Sequence, residues 1–349
     1  MERDRLVIEL AAHTFSGGDR ETDAVFSLAV SANGARIVSG FFDGMIRVWD
    51  AERRECLHTL SGHKFLVSSL TVSANGARIL SGSADRSVRV WDAETGACLH
   101  TLECGVNSVA MSADGMCSVI ASTSGQLNVW DTETGKLRLT CEGHSDHVFS
   151  VSMSPNGARI ASGSADRSVK LWDTGTGECL RTFEGHTGEV HSVRLSADSL
   201  RIVSMSDDRS IRVWDVETGA CRRTIEADCK GINKLAMTTD GACIVGVCDG
   251  KRVKVWDAET GDCLRTLQGH MELVTSVATS ADGTCIVSGS ERGDVKLWDT
   301  ARHAFIRSAP APAPARIRRD CPVTGGAPRA ATPPQSQLAP PAHCFLWHH

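Results

Sequence analysis

The sequence predicts an all-β fold, a seven-bladed β-propeller of four-stranded antiparallel blades. The dipeptide Trp-Asp occurs seven times and contains seven of the eight Trp residues. Successive copies are 42, 39, 42, 42, 42 and 42 residues apart. Each interval holds four short segments with strand character, separated by turn sequences. A four-stranded unit repeated at about forty residues is typical of a propeller.

The repeat from 62 to 102 shows how each strand follows from the sequence. Its strand segments are β-branched or alternate between apolar and polar residues, which is a strand signal. Asn75-Gly76 supplies the positive φ angles of a two-residue hairpin turn, and Thr95-Gly96 turns the chain again. The four predicted strands are 66–72, 78–81, 88–91 and 98–102. One blade cannot bury both of its faces, so neighbouring blades must cover them.

The seven Trp-Asp dipeptides, together with repeated Gly-His pairs, resemble the WD-repeat family. The Gly-His pairs lie at 62–63, 143–144, 185–186 and 269–270. In that family an N-terminal strand completes the last blade and closes the ring. Here segment 5–15 is similar to the end of a fourth strand, whereas segment 299–308 lacks the Thr-Gly turn. We therefore expect a propeller over 5–307 that is closed by its N-terminal strand.

Segment 308–349 has a different composition. Nine of the ten Pro residues lie in it, and Ala and Pro alternate at 309–314. Such a segment cannot bury enough apolar surface to fold, so we expect a disordered C-terminal tail. Its last seven residues, 343–349, include three His and one Cys. A metal site or a peptide ligand is the alternative there, but we expect an unstructured end.

Charge and hydropathy restrict the partners. The net charge is −5, and the segment from 309 onward carries +3, so the remainder carries −8. An acidic body is poorly suited to bind a nucleic-acid backbone directly. The N-terminus has no secretory signal, and no stretch is long and apolar enough to span a membrane. We expect an intracellular protein, cytoplasmic or nuclear, that does not bind membranes.

The fourteen Cys residues fall largely into two repeat columns. Identical positions on successive blades are too far apart to cross-link in pairs. We expect these cysteines to be reduced, buried and packed as small apolar residues. The columns are Cys56, Cys98, Cys179, Cys221 and Cys263, and then Cys117, Cys243 and Cys285.

Three blades repeat a His, a Ser, an Asp and a Trp at identical spacing. The sets are His63, Ser81, Asp85 and Trp91; His144, Ser162, Asp166 and Trp172; and His186, Ser204, Asp208 and Trp214. A Ser-His-Asp triad is one interpretation, but catalysis needs one triad beside one pocket, not three copies around a ring. The family resemblance implies a hydrogen-bonded chain within each blade. We expect a structural role and no catalytic residue.

Blades three and six depart from this pattern. Ile120 and Gly246 occupy the Ser position, and Ser124 and Gly250 occupy the Asp position. We therefore expect these two blades to be the least stable locally.

A binding surface is expected at the end of the ring that carries the second turn of each blade. The first and third turns are nearly uniform, whereas the second turn varies between repeats. The residue before the turn Asp is acidic in blades five, six and seven, and an aromatic pair lies in blade one. We predict an acidic arc with an aromatic anchor, formed by Asp207, Asp249, Glu291, Phe41 and Phe42. Weaker candidates at the same end are His147, Glu189 and Glu272.

The alternative is that these acids are solvated turn residues neutralised by Arg209, Lys251 and Arg292. We expect a non-catalytic scaffold or adaptor for one or more proteins, including peptide segments with basic and apolar side chains. It would be a monomeric propeller within a complex, with no cofactor and no metal ion. A propeller enzyme or small-ligand binder using the central channel, and a nucleic-acid-associated assembly factor, stay open. No cluster of His or carboxylates stands out in the channel strands.

Overall fold

The computed structural model describes residues 7–10, 24–227, 234–248 and 250–300. Within these ranges the chain forms twenty-eight β-strands and no helix, and therefore no helix that could cross a bilayer. The strands are β1 (Val7–Leu10), β2 (Val25–Val30), β3 (Arg36–Phe41), β4 (Ile46–Asp50), β5 (Glu55–Leu60), β6 (Val67–Val72), β7 (Arg78–Ser83), β8 (Ser87–Asp92), β9 (Cys98–Glu103), β10 (Ser108–Met111), β11 (Cys117–Ala121), β12 (Leu127–Asp131), β13 (Lys136–Cys141), β14 (Val148–Met153), β15 (Arg159–Ser164), β16 (Val169–Asp173), β17 (Cys179–Phe183), β18 (Val190–Leu195), β19 (Arg201–Ser206), β20 (Ser210–Asp215), β21 (Cys221–Glu226), β22 (Leu235–Met237), β23 (Cys243–Cys248), β24 (Arg252–Asp257), β25 (Cys263–Leu267), β26 (Val274–Thr279), β27 (Cys285–Ser290) and β28 (Val295–Asp299).

These strands form seven four-stranded antiparallel sheets, which are the blades of a propeller. Blades one to six each use four consecutive strands, from β2–β5 to β22–β25, and blade seven combines β26–β28 with β1. We label the strands of a blade a to d from the centre outward. The a strands of all seven blades line one central channel. The predicted fold class, a seven-bladed all-β propeller, is confirmed.

Side-chain hydrogen bonds hold the turns between strands. In blade two, the Asn75 Oδ1 atom accepts a hydrogen bond from the Ala77 N–H at 3.0 Å, and Gly76 has a φ angle of +75°. In the turn between strands c and d, Asp92 Oδ1 accepts from the N–H groups of Glu94 and Thr95 at 3.1 and 2.9 Å. The turn residues seen in the sequence therefore direct the chain by local chemistry.

A glycine on strand b lets neighbouring blades approach closely. A Cβ atom at Gly82 would lie 2.8 Å from a methyl carbon of Val106, and one at Gly163 would lie 2.6 Å from a methyl carbon of Val190. Carbon atoms in favourable contact are about 3.5–4.0 Å apart. A side chain at these glycines would therefore push the next blade outward.

A serine on strand a also joins adjacent blades. Ser69 Oγ accepts a hydrogen bond from the Val109 N–H of blade three at 3.0 Å. The equivalent Ser276 Oγ of blade seven accepts from the Leu28 N–H of blade one at 3.1 Å. The first and last blades are thus in direct contact.

Strand β1 pairs antiparallel with β28, with Val7 opposite Trp298 and Leu10 opposite Val295. It is the fourth strand of blade seven. That this strand closes the ring stays a prediction, as do the propeller limits at 5 and 307. The predicted tail, 308–349, lies outside the described residues.

The prediction that both cysteine columns are buried is wrong for the larger one. All five of its members are exposed free thiols, because they lie at the outer d strands, where no further strand covers them. In the smaller column Cys117 is buried, and Cys243 and Cys285 are half-buried. Burial raises the pKa of the Cys117 thiol. Cys248, which belongs to neither column, is disulfide-bonded.

The close approach at strand b gives a stability prediction. We expect Gly163→Ala to lower the free energy of unfolding by about 1–3 kcal/mol, because Val190 is β-branched and cannot rotate away. Equilibrium urea denaturation measures this change. Gly105→Ala is the control, since a Cβ there would meet its nearest atom only at 3.5 Å. Equal midpoints for the two variants would contradict the packing argument.

Candidate functional site

The predicted His, Ser, Asp and Trp sets form a hydrogen-bonded chain within each blade. In blade four, the Trp172 Nε1–H donates to Ser162 Oγ at 2.8 Å, and this oxygen lies 2.7 Å from His144 Nε2. His144 Nδ1 lies 2.7 Å from Asp166 Oδ2. Equivalent chains are present in blades two and five, through His63, Ser81, Asp85 and Trp91, and His186, Ser204, Asp208 and Trp214.

The positions of the protons follow from this geometry. The aspartate can only accept, so the histidine Nδ1–H is donated to it. Burial lowers the pKa of both His63 and His186 below 6.5, which favours the neutral ring in blades two and five. In a neutral ring Nε2 accepts the serine proton, while the serine oxygen accepts the indole N–H. Burial raises the pKa of Asp85, but hydrogen bonds from Ser87, the Lys64 N–H and His63 outweigh it and hold this pKa at about 2.

Burial argues for a structural role of these chains. The side chains of Ser81, Ser162 and Ser204 belong to residues with 0% exposure, and each serine oxygen already accepts a hydrogen bond from an indole. A serine nucleophile must be accessible to its substrate and lie beside oxyanion donors. Each chain instead connects strands b and c to the turn and the connection at one end of the blade.

Blades three and seven depart from the His, Ser, Asp and Trp pattern. Blade three lacks the serine, and blade seven has Arg292 in place of the Asp. Ile120 replaces the serine in blade three, and the buried Trp130 Nε1 has no hydrogen-bond partner. Blade seven keeps the first two links, because Ser288 Oγ accepts from Trp298 at 2.8 Å and lies 2.7 Å from His270 Nε2. The lower local stability of blades three and six stays a prediction, which the indole of Trp130 supports for blade three.

One end of the propeller carries the turns between strands b and c and the connections that enter strand a. We call this end the loop face. Backbone hydrogen bonds join the two kinds of segment, from Asp207 N–H to Glu189 O at 3.0 Å and from Glu291 N–H to Leu273 O at 2.9 Å. The structure therefore places six of the predicted binding residues in segments of this end: Phe42, His147, Glu189, Asp207, Glu272 and Glu291.

Blade five brings two of these acids together. His191 Nε2 lies 2.9 Å from Asp207 Oδ1, and the His191 ring stacks on Phe149 at a centroid distance of 4.9 Å. The donor atoms of Glu189, His191 and Asp207 lie within 4.8 Å of one another. An imidazole and two carboxylates are chemically able to hold a divalent cation. In this structure the imidazole is half-buried and paired with Asp207, and both carboxylates are exposed.

The two predicted acids of blade seven, Glu272 and Glu291, differ in whether they form an ion pair. Arg292 pairs with Glu272 at 3.1 Å, and the Lys251 ammonium donates to the backbone oxygen of Met271 at 2.5 Å. Glu291 is exposed, and among the described residues no ion pair to it is present. The predicted neutralisation by Arg292 thus applies to Glu272. Asp249, in blade six, lies outside the described residues.

The aromatic pair of blade one divides between core and surface. Phe41 is 1% exposed, with the Arg47 guanidinium 4.6 Å from its ring centroid. Phe42 is 49% exposed and contacts Phe26 at a centroid distance of 5.9 Å. Including Phe41 in the binding surface is therefore a mistake, because its position in strand β3 points it into the core.

Two further large apolar side chains on the loop face were not among the predicted binding residues. Phe65 is 62% exposed and Met271 is 82% exposed. Both lie in the connections that enter strand a, in blades two and seven. The signal was available, because each is a large apolar residue in a segment where the other blades have polar residues at most positions.

Two cations in the central channel were also missed. The channel is a cavity of about 230 Å³, and Arg194 of blade five and Lys234 of blade six line it. Sequence reasoning sought His and carboxylates there and overlooked these residues. A comparison of strand a position by position would have found them, because the other blades have Ala, Ser or Thr at both positions.

The hydrogen-bonded chain gives a stability prediction. We expect His144→Ala to lower the free energy of unfolding by about 1–3 kcal/mol, because it leaves Ser162 and Asp166 without their partner. Urea denaturation measures this change. His58→Ala, at a half-buried histidine of an outer strand, is the control. An unchanged midpoint for His144→Ala would count against the chain.

The same chain predicts a pH dependence. The folded-state pKa values of His63 and His186 lie below 6.5, so the unfolded chain binds these protons first and stability falls as the pH drops below about 6.5. The pKa values of Asp85 and Asp208 are about 2 against an ordinary 3.8, so stability falls further between about pH 4 and 2. Each group contributes a slope of at most about 1.4 kcal/mol per pH unit. Denaturation midpoints measured from pH 7.5 to 3 check this, and a midpoint that rises on acidification would contradict it.

Comparisons with known proteins agree with the repeat. No curated protein matches the chain. The sequence profile of the family described as "WD domain, G-beta repeat" matches seven times, at residues 10–50, 54–92, 96–131, 135–173, 177–215, 219–257 and 261–299. Propellers of this family are generally protein-interaction scaffolds, typically without enzymatic activity. The match at 54–92, for example, spans the d strand of blade one and strands a to c of blade two, so the matched repeat is offset from the blade by one strand. Since these matches cover most of the sequence, the chain belongs to the WD-repeat family.

Proposed function

We propose that this protein is a non-catalytic scaffold that binds one or more partner proteins through its loop face. The observation that carries the proposal is the exposure of Phe42, Phe65 and Met271, which lie in three neighbouring blades at this end. Exposed apolar groups of this kind mark protein interaction sites. Most other exposed large apolar residues occur singly along outer d strands, as Leu99, Leu137, Leu180 and Leu264.

Contacts between blades support a shared surface, because they bring the segments of Phe42 and Phe65 together and make blade seven a neighbour of blade one. A Cβ atom at Gly44, in the turn that follows Phe42, would lie 3.0 Å from the backbone oxygen of Phe65. Blade seven adjoins blade one, because Ser276 and Leu28 are hydrogen-bonded. Aromatic and Met side chains that become buried at an interface contribute much of its binding free energy.

Charge determines which partner suits the surface. Glu291 lies in blade seven beside the apolar residues, and Asp207 and Glu189 lie in blade five. Among the described residues, the one ion-pairing group at these two acids is the imidazole of His191, which contacts Asp207. A partner segment with basic and apolar side chains is therefore complementary. The propeller would act as a monomer within such a complex, without a cofactor.

The alternatives have less support. The Ser-His-Asp sets are buried and engaged with indoles, which disfavours a hydrolase. A charge of −8 on residues 1–308 disfavours direct contact with a nucleic-acid backbone. A small ligand in the channel is compatible with a scaffold.

The test compares capture of partners by wild-type protein and by two loop-face variants. One variant carries Asp207→Lys and Glu291→Lys, and the other carries Phe42→Ser and Met271→Ser. Quantitative mass spectrometry of proteins captured from cell extract should show the same partners reduced about tenfold or more by both variants, because each removes hot-spot contacts. Unchanged thermal midpoints confirm that the variants are folded.

Matched controls are available at the opposite end of the propeller. Glu52→Lys with Glu133→Lys reverses two exposed acids in turns between strands c and d, and Met116→Ser with Leu200→Ser removes two exposed apolar groups. These controls should retain the partners. Partners lost equally from both ends, or retained by both loop-face variants, would refute binding at the loop face.

A further inference from the structure

We propose that the central channel binds a small phosphate-bearing anion between Arg194 and Lys234. Both residues belong to the inner a-strand segments of neighbouring blades, and both line the same cavity of about 230 Å³. The proposal is independent of the loop face and of the identity of any protein partner.

Both cations are exceptions to the repeat. Arg194 pairs across its blade with Val203, and the residues in the same register elsewhere are small, namely Ala29, Thr71, Ala110, Ser152, Ala236 and Ala278. Lys234 directly precedes Leu235 at the position where every other blade has a serine, namely Ser27, Ser69, Ser108, Ser150, Ser192 and Ser276. The two substitutions therefore place two positive charges in a channel whose other described lining residues are neutral.

Among the described residues, no acid lines the channel. Its described lining consists of small polar and apolar side chains, and Arg194 and Lys234 are its only ionisable members. Arg194 Nη1 donates to the backbone oxygen of Val193 at 2.8 Å. Lys234 Nζ lies 3.5 Å from the backbone oxygen of Ser68, which belongs to blade two, so the ammonium extends across the channel. Each cation thus contacts a neutral carbonyl.

Burial of these two charges lowers the pKa values of both groups. Burial, followed by repulsion from Arg194, lowers the pKa of Lys234 to about 8. Burial lowers the pKa of Arg194 to about 10. A bound anion would relieve both effects, because it replaces lost hydration and separates two like charges.

Phosphate suits the site better than a singly charged anion. At neutral pH a phosphate group carries a charge of about −1.5 to −2, which balances two cations. A guanidinium presents paired N–H donors that match two phosphate oxygens, and lysine binds phosphate as a point charge. The serine hydroxyls of strand a are less available, since Ser192 Oγ, for example, already accepts the Leu235 N–H at 3.1 Å.

The repeat supplies the test variant, because the other blades show which neutral residues each position accommodates. We would titrate the full-length protein with inorganic phosphate, and separately with pyrophosphate, at constant ionic strength set with sodium chloride. Wild type should show a saturable rise in thermal midpoint, about 2–5 °C at ten times the dissociation constant. The variant Arg194→Ala/Lys234→Ser should lose this rise.

Two comparisons make the result specific. Arg53→Ala/Lys136→Ser removes one exposed Arg and one exposed Lys outside the channel and should keep the full phosphate response. Isothermal titration calorimetry at pH 7 and pH 9 should show weaker binding at the higher pH, because Lys234 loses its proton near pH 8 when the channel is empty. Among the described channel residues only Arg194 could also titrate, and its pKa of about 10 lies higher.

The outcomes separate clearly. The site is supported if phosphate raises the thermal midpoint of wild type but not that of the channel variant. In that case the channel variant must also be at least as stable as wild type without phosphate. An unchanged thermal midpoint of wild type at about 20 mM phosphate would overturn it, because this concentration is far above a dissociation constant of about 1 mM. An equal response in wild type and the channel variant would overturn it as well, since binding would then lie elsewhere.

Discussion

Contact between the broad faces of neighbouring blades is the constraint on which the rest of this structure depends. A four-stranded sheet has two faces, and strands b and c of a blade are mostly buried, as in β7 and β8. The glycine on strand b allows this contact, and the serine on strand a adds a hydrogen bond across it. Burial of apolar surface on both faces therefore requires every blade to have two neighbours, and a ring provides them.

Within a blade, the His, Ser, Asp and Trp chain pairs the polar groups that burial removes from water. The indole and the imidazole are large apolar rings that carry polar nitrogens into the interior. Linking them through one buried serine satisfies each donor and acceptor in blades two, four and five. The same residue types that suggest a hydrolase in the sequence therefore stabilise the blade, because their nucleophile has no access to solvent.

The sequence differs most from blade to blade at positions outside the buried hydrogen-bonded chain and outside the close contacts between blades. Turns between strands b and c need a tight bend but not a particular exposed side chain, so Phe42, Asp207 and Glu291 could arise there without harm to the fold. The Arg194 position in the channel is similar, because its counterparts in the other blades are small residues that line the cavity. Lys234 instead replaces the serine that in other blades is hydrogen-bonded to the next blade. Among the described lining residues, no acid balances these two charges.

The sequence alone was sufficient for the fold class, the number of blades and the turn positions. Turn geometry depends on neighbouring residues such as Asn75-Gly76, and the Trp-Asp spacing of about forty residues counts the blades. It was also sufficient for the buried polar chain, since identical spacing in three blades predicts identical geometry.

Burial and proximity were decided by the tertiary structure. Phe41 and Phe42 are adjacent in sequence, yet strand alternation and the neighbouring blade bury the first and expose the second. The exposed cysteine column lies on the fourth strand of each blade, but its exposure depends on what packs against that strand, which the repeat does not specify. Arg194 and Lys234 are forty residues apart and meet because their blades are neighbours around one channel. A one-dimensional pattern specifies which residues repeat, but which atoms cover or face them depends on strands that pack from elsewhere in the chain.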